Sequence, residues 1–331
     1  MKQPTPLVEI VSTGRFLPGR ILTNQELEAM VDTSDAWIQE RTGIRERRIA
    51  PDGMSAAHMG AEAAKCAMAR AHVEPGEVDV LIVATATPDR LLPSTACDIQ
   101  ALLGATNAMA FDLSAACSGF LYGVAMGESY VAAKRGDIAL VVATEKMSGI
   151  VDWRDRSTCV LFGDGAGAAV LRRTTNGTRG ILAQHHRSDG RLAELLYRPA
   201  GGVAMPIDAQ VLERGDQFVK MAGRDVFKHA VRSMTEAADH ALRLAGLTWD
   251  DVDVLVPHQA NMRIIEATAK YAGIPMEKVV VNIDRLGNMS SASIPVALDE
   301  AIESGRVKPG MNLLTTAFGS GLTWGATVIR W

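Results

Sequence analysis

Ala71 to Ile82 reads AHVEPGEVDVLI, and Ala245 to Val256 reads AGLTWDDVDVLV. Each passes from the end of an alanine-rich helix through a turn into a short apolar strand. In the helix before the second copy, Val226, Ala230, Met234, Ala238 and Ala241 recur at three- and four-residue steps, the period of one helix face. A second pair follows: Gly136 to Thr144 (GDIALVVAT) matches Gly310 to Phe318 (GMNLLTTAF) in style. Phe162 to Val170 and Phe318 to Val328 are both glycine-rich and read as a hairpin closing each half. Strands this apolar are buried on both faces, which places them in a layered α/β architecture with helices on either side. The expected fold is a duplicated α/β protein. Its N-terminal half covers residues 1–173, an irregular insertion or cap 174–220, and a C-terminal half 221–331.

Local signals agree. Thr23 to Glu26 forms a capping box. A helix from about Asp35 to Arg41 stops at Gly43, and Pro295 falls in the first turn of a helix from Ser291, where proline is tolerated. The helix after Cys117 is expected to reach Lys134 and Arg135 and to end at Gly136.

Composition narrows the function classes. With 331 residues and 47% apolar content the chain buries a large core. A net charge of −4 gives no global attraction to nucleic acid or to an anionic membrane. No apolar run approaches the roughly 20 residues of a membrane helix, and Met1 to Pro6 leads into a β-like stretch rather than a signal-type core. Cys66, Cys97, Cys117 and Cys159 show no CxxC spacing, so neither a zinc site nor a disulfide framework is expected. The expectation is a soluble, cytoplasmic protein.

The chemistry concentrates in three places. Phe111 to Phe120 (FDLSAACSGF) is a strand that breaks at Cys117 and opens a helix. A cysteine at a helix N-terminus feels partial positive charge, which favours its thiolate. Pro257 to Asn261 (PHQAN) puts His258 at a strand end, and Gly287 to Ser293 (GNMSSAS) puts Asn288 at another. Open α/β sheets place their sites at such ends. A neutral imidazole N–H and an amide NH₂ are both donors that can meet one thioester oxygen. The remaining cysteines and histidines read as structural.

These blocks, with TSDAWIQERTGIR from Thr33 to Arg45, FGDGAGA from Phe162 to Ala168 and FGSGLTWG from Phe318 to Gly325, resemble the β-ketoacyl-acyl-carrier-protein synthase III family of condensing enzymes. The similarity runs from end to end. It implies the thiolase-like five-layered αβαβα fold, a homodimer, and Cys117, His258 and Asn288 as catalytic triad. By the same resemblance Trp37 and Arg156 stack on the adenine of coenzyme A with Arg41 nearby, and Asn261 helps orient the site. The amides of Cys117 and Ser320 are the implied oxyanion donors. Lys228, Arg263 and Lys270 match a cationic patch for acyl carrier protein. The implied reaction condenses an acyl-CoA primer with malonyl-carrier protein and needs no metal or redox cofactor.

Two residues depart from the family pattern: Met289 stands where threonine is common, and Leu92 where many relatives carry a phenylalanine near the acyl pocket. The smaller Leu92 is expected to admit a longer or branched primer. A papain-like cysteine protease also uses Cys, His and Asn, but its cysteine lies near the N-terminus in a CGSCW-like motif absent here. A polyketide-priming ketosynthase or acyltransferase is the nearer alternative. A non-catalytic partner subunit is disfavoured because all three residues are present.

Overall fold

The computed structural model describes residues 3–331; Met1 and Lys2, the first residues of the expected N-terminal half, lie outside the described residues. Two sheets carry the architecture. The first runs Val8–Phe16, Asp164–Arg173, Ile138–Lys146, Val80–Ala84, Met109–Leu113. The second runs Gly180–Ser188, Thr323–Arg330, Asn312–Gly319, Val254–Pro257. Directions match position by position: the two strands at the start of each order pair antiparallel to their neighbours, and Val80–Ala84 and Val254–Pro257 pair parallel to theirs. Even the edge strand Met109–Leu113 has a remnant counterpart in a single parallel bridge between Leu255 and Val279.

The helices Ala56–Ala71 and Thr95–Leu103 cover the outer face of the first sheet. Gly119–Ala132 and Ser293–Glu303 lie between the sheets, and Gly223–Ala245 and Met262–Ala272 cover the second sheet outside. This makes the five layers αβαβα, with one apolar core on the inter-sheet helices and two more under the outer helices. Fully buried runs such as Val80 to Ala84 explain why the strands read as continuously apolar.

Three expectations change. The region 174–220 is not wholly an insertion: Gly180–Ser188 is the edge strand of the second sheet and the counterpart of Val8–Phe16. It escaped the pattern because its C-terminal part, Gln184 to Ser188, is polar and half-exposed, as an edge strand permits. The irregular part starts at Asp189. Phe162 to Val170 is not a hairpin but the lead into one long strand, whose glycines let neighbours pack; only Asn312–Gly319 and Thr323–Arg330 form the hairpin. The helix after Cys117 ends at Ala132, because Lys134 takes a left-handed conformation with φ 57°.

The capping box at Thr23, the Asp35–Thr42 helix capped by left-handed Gly43, and Pro295 in the first turn of Ser293–Glu303 are as expected.

Candidate active site

Cys117 sits on a single 3₁₀ turn, Ala116–Ser118, between the strand Met109–Leu113 and the helix Gly119–Ala132. The turn is tied to the second-sheet hairpin: Thr323 Oγ1 donates to the Ala115 carbonyl at 2.9 Å and Ser118 Oγ to the Thr323 carbonyl at 3.1 Å. Gly319 lies hard against it. A Cβ there would stand 2.7 Å from the Cys117 nitrogen, so the backbone approach requires glycine.

The second half repeats the device. Ser290–Ala292 is a 3₁₀ turn opening the helix Ser293–Glu303, and the residue starting each turn is left-handed, Ala116 at φ 45° and Ser290 at φ 46°. The two turns pack together, with Ser291 against Gly119. Ser290 Oγ lies 3.6 Å from Cys117 Sγ.

His258 follows Val254–Pro257 as expected and is 1% exposed. Its amide donates to Thr316 at 2.8 Å, while its Nδ1 is buried without a partner among the described residues. Burial pushes its pKa down to about 3, which keeps the imidazole neutral. Gln259 fixes the loop ahead: its Nε2 donates to Pro257 and Val280, and its Oε1 accepts from the amides of Asn282 and Ile283.

Asn288 does not end a strand. It follows the short helix Ile283–Leu286 and Gly287, and only an isolated bridge pairs it with Phe162. The shortened remnant strand at Val279 explains the difference. Gly287, at φ 66°, allows the turn because a Cβ there would meet the Leu161 carbonyl at 2.9 Å. Asn288 Oδ1 accepts from the Ser290 amide at 2.8 Å, and its NH₂ has no partner among the described residues.

Cys117, His258 and Asn288 line one cavity of about 310 Å³. Its far end carries Trp37, Arg41 and Arg156. Trp37 and Arg41 are one helical turn apart on Asp35–Thr42; the Arg41 and Arg156 guanidinium carbons lie 5.5 Å and 5.1 Å from the Trp37 ring centre. Asn261 caps Met262–Ala272 by accepting from the Arg263 amide and also donates to the Arg41 carbonyl at 3.1 Å. Lys228 and Arg263 are exposed beside the cavity-lining Phe227 and Ile264; Lys270 is exposed two turns beyond Arg263. Arg224, not singled out by sequence, is exposed on the same helix as Lys228.

A second cavity, also about 310 Å³, meets the first at Cys117 and holds Ser320, with Met147, Ile150, Leu196 and Val219 as apolar lining. Leu92 lines neither. It is 87% exposed in the loop between Val80–Ala84 and Thr95–Leu103, so within this chain it does not reach the cavity behind Cys117. The apolar lining was missed because it comes from loops after Ile138–Lys146 and from the irregular region.

Cys117 also departs from expectation. The helix start is there, but the thiol is buried and its pKa is pushed up to about 12 by desolvation, against the help of Ser290 and with the buried Glu145 charge adding to the rise. Desolvation outweighs the end of the helix.

Models of 3-oxoacyl-acyl-carrier-protein synthase III match residues 111–190, and of its C-terminal part residues 242–331. The β-ketoacyl-acyl-carrier-protein synthase III of Symbiobacterium thermophilum is 52% identical over 98% of both chains. The crystal structure of 3-oxoacyl-acyl-carrier-protein synthase III from Aquifex aeolicus is 48% identical, covers 98% of this chain and 100% of its own, and superposes with a TM-score of 0.91. That of the priming β-ketosynthase from the R1128 polyketide pathway is 36% identical over 99% and 97%, also with a TM-score of 0.91.

Proposed function

The chain belongs to the 3-oxoacyl-acyl-carrier-protein synthase III family, and on that premise we propose that its two joined cavities run a two-step decarboxylative condensation. It is an acyltransferase. The observation that carries the assignment of roles is the convergence of Cys117, His258 and Asn288 on one cavity whose far end is an indole flanked by two guanidiniums.

Acyl-CoA enters with its adenine against Trp37 and Arg156, and Arg41 beside its phosphates. The Cys117 sulfur attacks the thioester carbonyl, and the amides of Cys117 and Ser320 receive the oxyanion. Coenzyme A leaves, and the acyl chain lies in the second cavity against Met147, Ile150 and Val219. Malonyl-carrier protein, held by the exposed cations Lys228, Arg263 and Lys270, then delivers its arm into the first cavity. Its thioester oxygen sits between His258 and Asn288. A neutral His258 suits this role, because it holds a donor to the developing enolate without taking up a proton of its own. Carbon dioxide departs, the carbanion attacks the acyl-cysteine, and a 3-oxoacyl thioester leaves.

The reading needs no metal or redox cofactor. It places the enzyme in the cytoplasm, with acyl carrier protein as partner, as a homodimer whose second copy covers the open edge of Met109–Leu113, where Met109 is 52% exposed. No helix among the described residues is long and apolar enough to cross a membrane. The likeness to a priming β-ketosynthase favours, as second reading, the same chemistry starting a polyketide. Incubation with acyl-CoAs and malonyl-carrier protein tests the proposal: 3-oxoacyl-carrier protein and carbon dioxide form in equal amounts, and Cys117→Ala makes no condensation product. Carbon dioxide release unaltered by His258→Ala and Asn288→Ala would contradict the roles given.

A further inference from the structure

Arg47, on the strand Glu46–Ile49, is the largest of the fully buried side chains, at 0% exposed. Every acceptor it meets is neutral. Nη1 donates to the Leu22 carbonyl at 3.2 Å and to Asn24 Oδ1 at 2.9 Å, and Nη2 donates to the Val160 carbonyl at 2.8 Å. Nε is buried without a partner among the described residues. Burial pulls the guanidinium down to about 10, against the opposing influence of Cys159 and Glu46, so it is still a cation at neutral pH. A buried charge served by neutral groups is costly, and an apolar side chain of similar volume would fill the space more cheaply. Packing alone does not account for an arginine here.

What Arg47 touches is the support of Asn288. Because Asn288 does not end a strand, its backbone is held by a single bridge. Its amide donates to the Leu161 carbonyl at 2.8 Å, and its carbonyl accepts from the Gly163 amide at 3.0 Å. The Arg47 stem lies against both glycines that border this bridge. A Cβ at Gly163 would stand 3.2 Å from the Arg47 Cβ, and one at Gly287 would stand 3.1 Å from it. The guanidinium meets the same segment at Val160, one residue before the bridge begins. The head of Arg47 thus holds one end of the segment 160–163 and its stem seats the other. Val160, Leu161, Phe162 and Asn288 all line the first cavity.

The head is itself anchored. Asn24, also 0% exposed, donates from Nδ2 to the Ile44 carbonyl and to Asp35 Oδ1, both at 2.8 Å. Asp35 opens the helix that carries Trp37 and Arg41. Arg47 therefore joins the indole end of the cavity to the bridge beside Asn288. The Cys117 turn takes its support elsewhere, from Thr323, Ser118 and Gly319.

We propose that Arg47 is a positioning residue for Asn288: it fixes the segment 160–163 and, through the bridge, the point at which the Asn288 NH₂ meets the enolate oxygen. The proposal rests on the reading of Asn288 as an enolate donor. Arg47 itself touches no reacting atom. Without its fork the segment loses the tie at Val160, the bridge shifts, and the NH₂ leaves the place the oxygen requires. A misplacement of about 1 Å costs about 10²-fold in rate. Acyl transfer to Cys117 uses neither the NH₂ nor the bridge, so it is spared.

The test is a double-mutant cycle. Carbon dioxide release from malonyl-carrier protein is measured for wild type, Arg47→Met, Asn288→Ala and the double variant, beside single-turnover acylation by saturating acetyl-CoA. Positioning makes carbon dioxide release ~10²-fold slower in Arg47→Met. Acylation of the same variant stays within about twofold of wild type, and Arg47→Met adds no more than about twofold to Asn288→Ala, because the residue through which it acts is gone. Losses that multiply in the double variant overturn the proposal, and so does equal slowing of both steps, which a merely structural role would give. Carbon dioxide release at the wild-type rate in Arg47→Met overturns it as well. Should Arg47→Met fail to melt cooperatively, Arg47→Lys decides. Lysine keeps the charge and the stem but has no fork to hold Val160 and Asn24 together. The same split between the two steps is expected, and a variant that matches wild type in both overturns the proposal. An Asn288→Ala enzyme that releases carbon dioxide at the wild-type rate refutes the reading of Asn288 itself, a result distinct from failure of the positioning role.

Discussion

Gly319→Ala is a perturbation whose size follows from the coordinates. The added methyl carbon lands 2.7 Å from the Cys117 nitrogen, 3.0 Å from its Cβ and 3.2 Å from its Cα. All three belong to a turn tied by Thr323 and Ser118, so no flexible side-chain tip can swing aside. The pair must separate by 0.3 Å to reach 3.0 Å, and by 0.7 Å to reach ordinary contact at 3.4 Å. Overpacking of this kind costs about 1–3 kcal/mol of stability, which a chain of this size tolerates. The catalytic cost is larger, because the displaced atom is the amide assigned to the oxyanion. Loss of one such donor costs about 2.7–4 kcal/mol, or 10²–10³ in rate. Single-turnover acylation by acetyl-CoA, measured beside a thermal melt, separates the two. The expected enzyme melts slightly lower and acylates at least ~10²-fold slower. Acylation at the wild-type rate would refute the claimed contact between Gly319 and the nucleophile turn.

Other outcomes follow from the same geometry. His258→Ala and Asn288→Ala each slow carbon dioxide release from malonyl-carrier protein by roughly 10²–10³-fold while Cys117 still takes up the primer, seen as acyl-enzyme by mass. Trp37→Ala loses a base-stacking platform of about 1–3 kcal/mol, so the KM for acyl-CoA rises with little change in kcat; an unchanged KM would remove Trp37 from the adenine site. Lys228→Glu with Arg263→Glu raises the KM for malonyl-carrier protein but not for acyl-CoA, and flattens its salt dependence. His258, lowered to about 3 in the folded chain against 6.5 unfolded, lets the unfolded state bind the extra proton. Stability therefore falls as pH drops from about 6.5 toward 3, and His258→Gln should melt with a shallower pH dependence over that range.

The duplicated helix–turn–strand units and the Cys117 and His258 junctions were legible because they rest on local signals: apolar runs, turn residues and a strand that breaks at a small-residue helix start. Trp37, Arg41 and Arg156 were legible through the family resemblance, since a single half-buried tryptophan on a short helix has no periodic signature. What stayed hidden depends on distant partners. Gly180–Ser188 hides behind polar edge residues, and Leu92 stands in the right stretch of sequence but on a loop that points to solvent. The thiol was read from the helix start alone, whereas burial by loops remote in sequence decides its pKa. The buried Glu145 left no signal in the sequence, because its donors come from residues about 60 and 146 positions away.

Intact-protein mass tests the central claim most directly. Wild type and Cys117→Ala are incubated with a panel of acyl-CoAs and then given malonyl-carrier protein. The account predicts an acyl adduct on wild type alone, discharged as a 3-oxoacyl-carrier protein, with the heaviest adducting primer identifying what the second cavity accepts. An adduct that malonyl-carrier protein leaves in place, or one that also forms on Cys117→Ala, would contradict it.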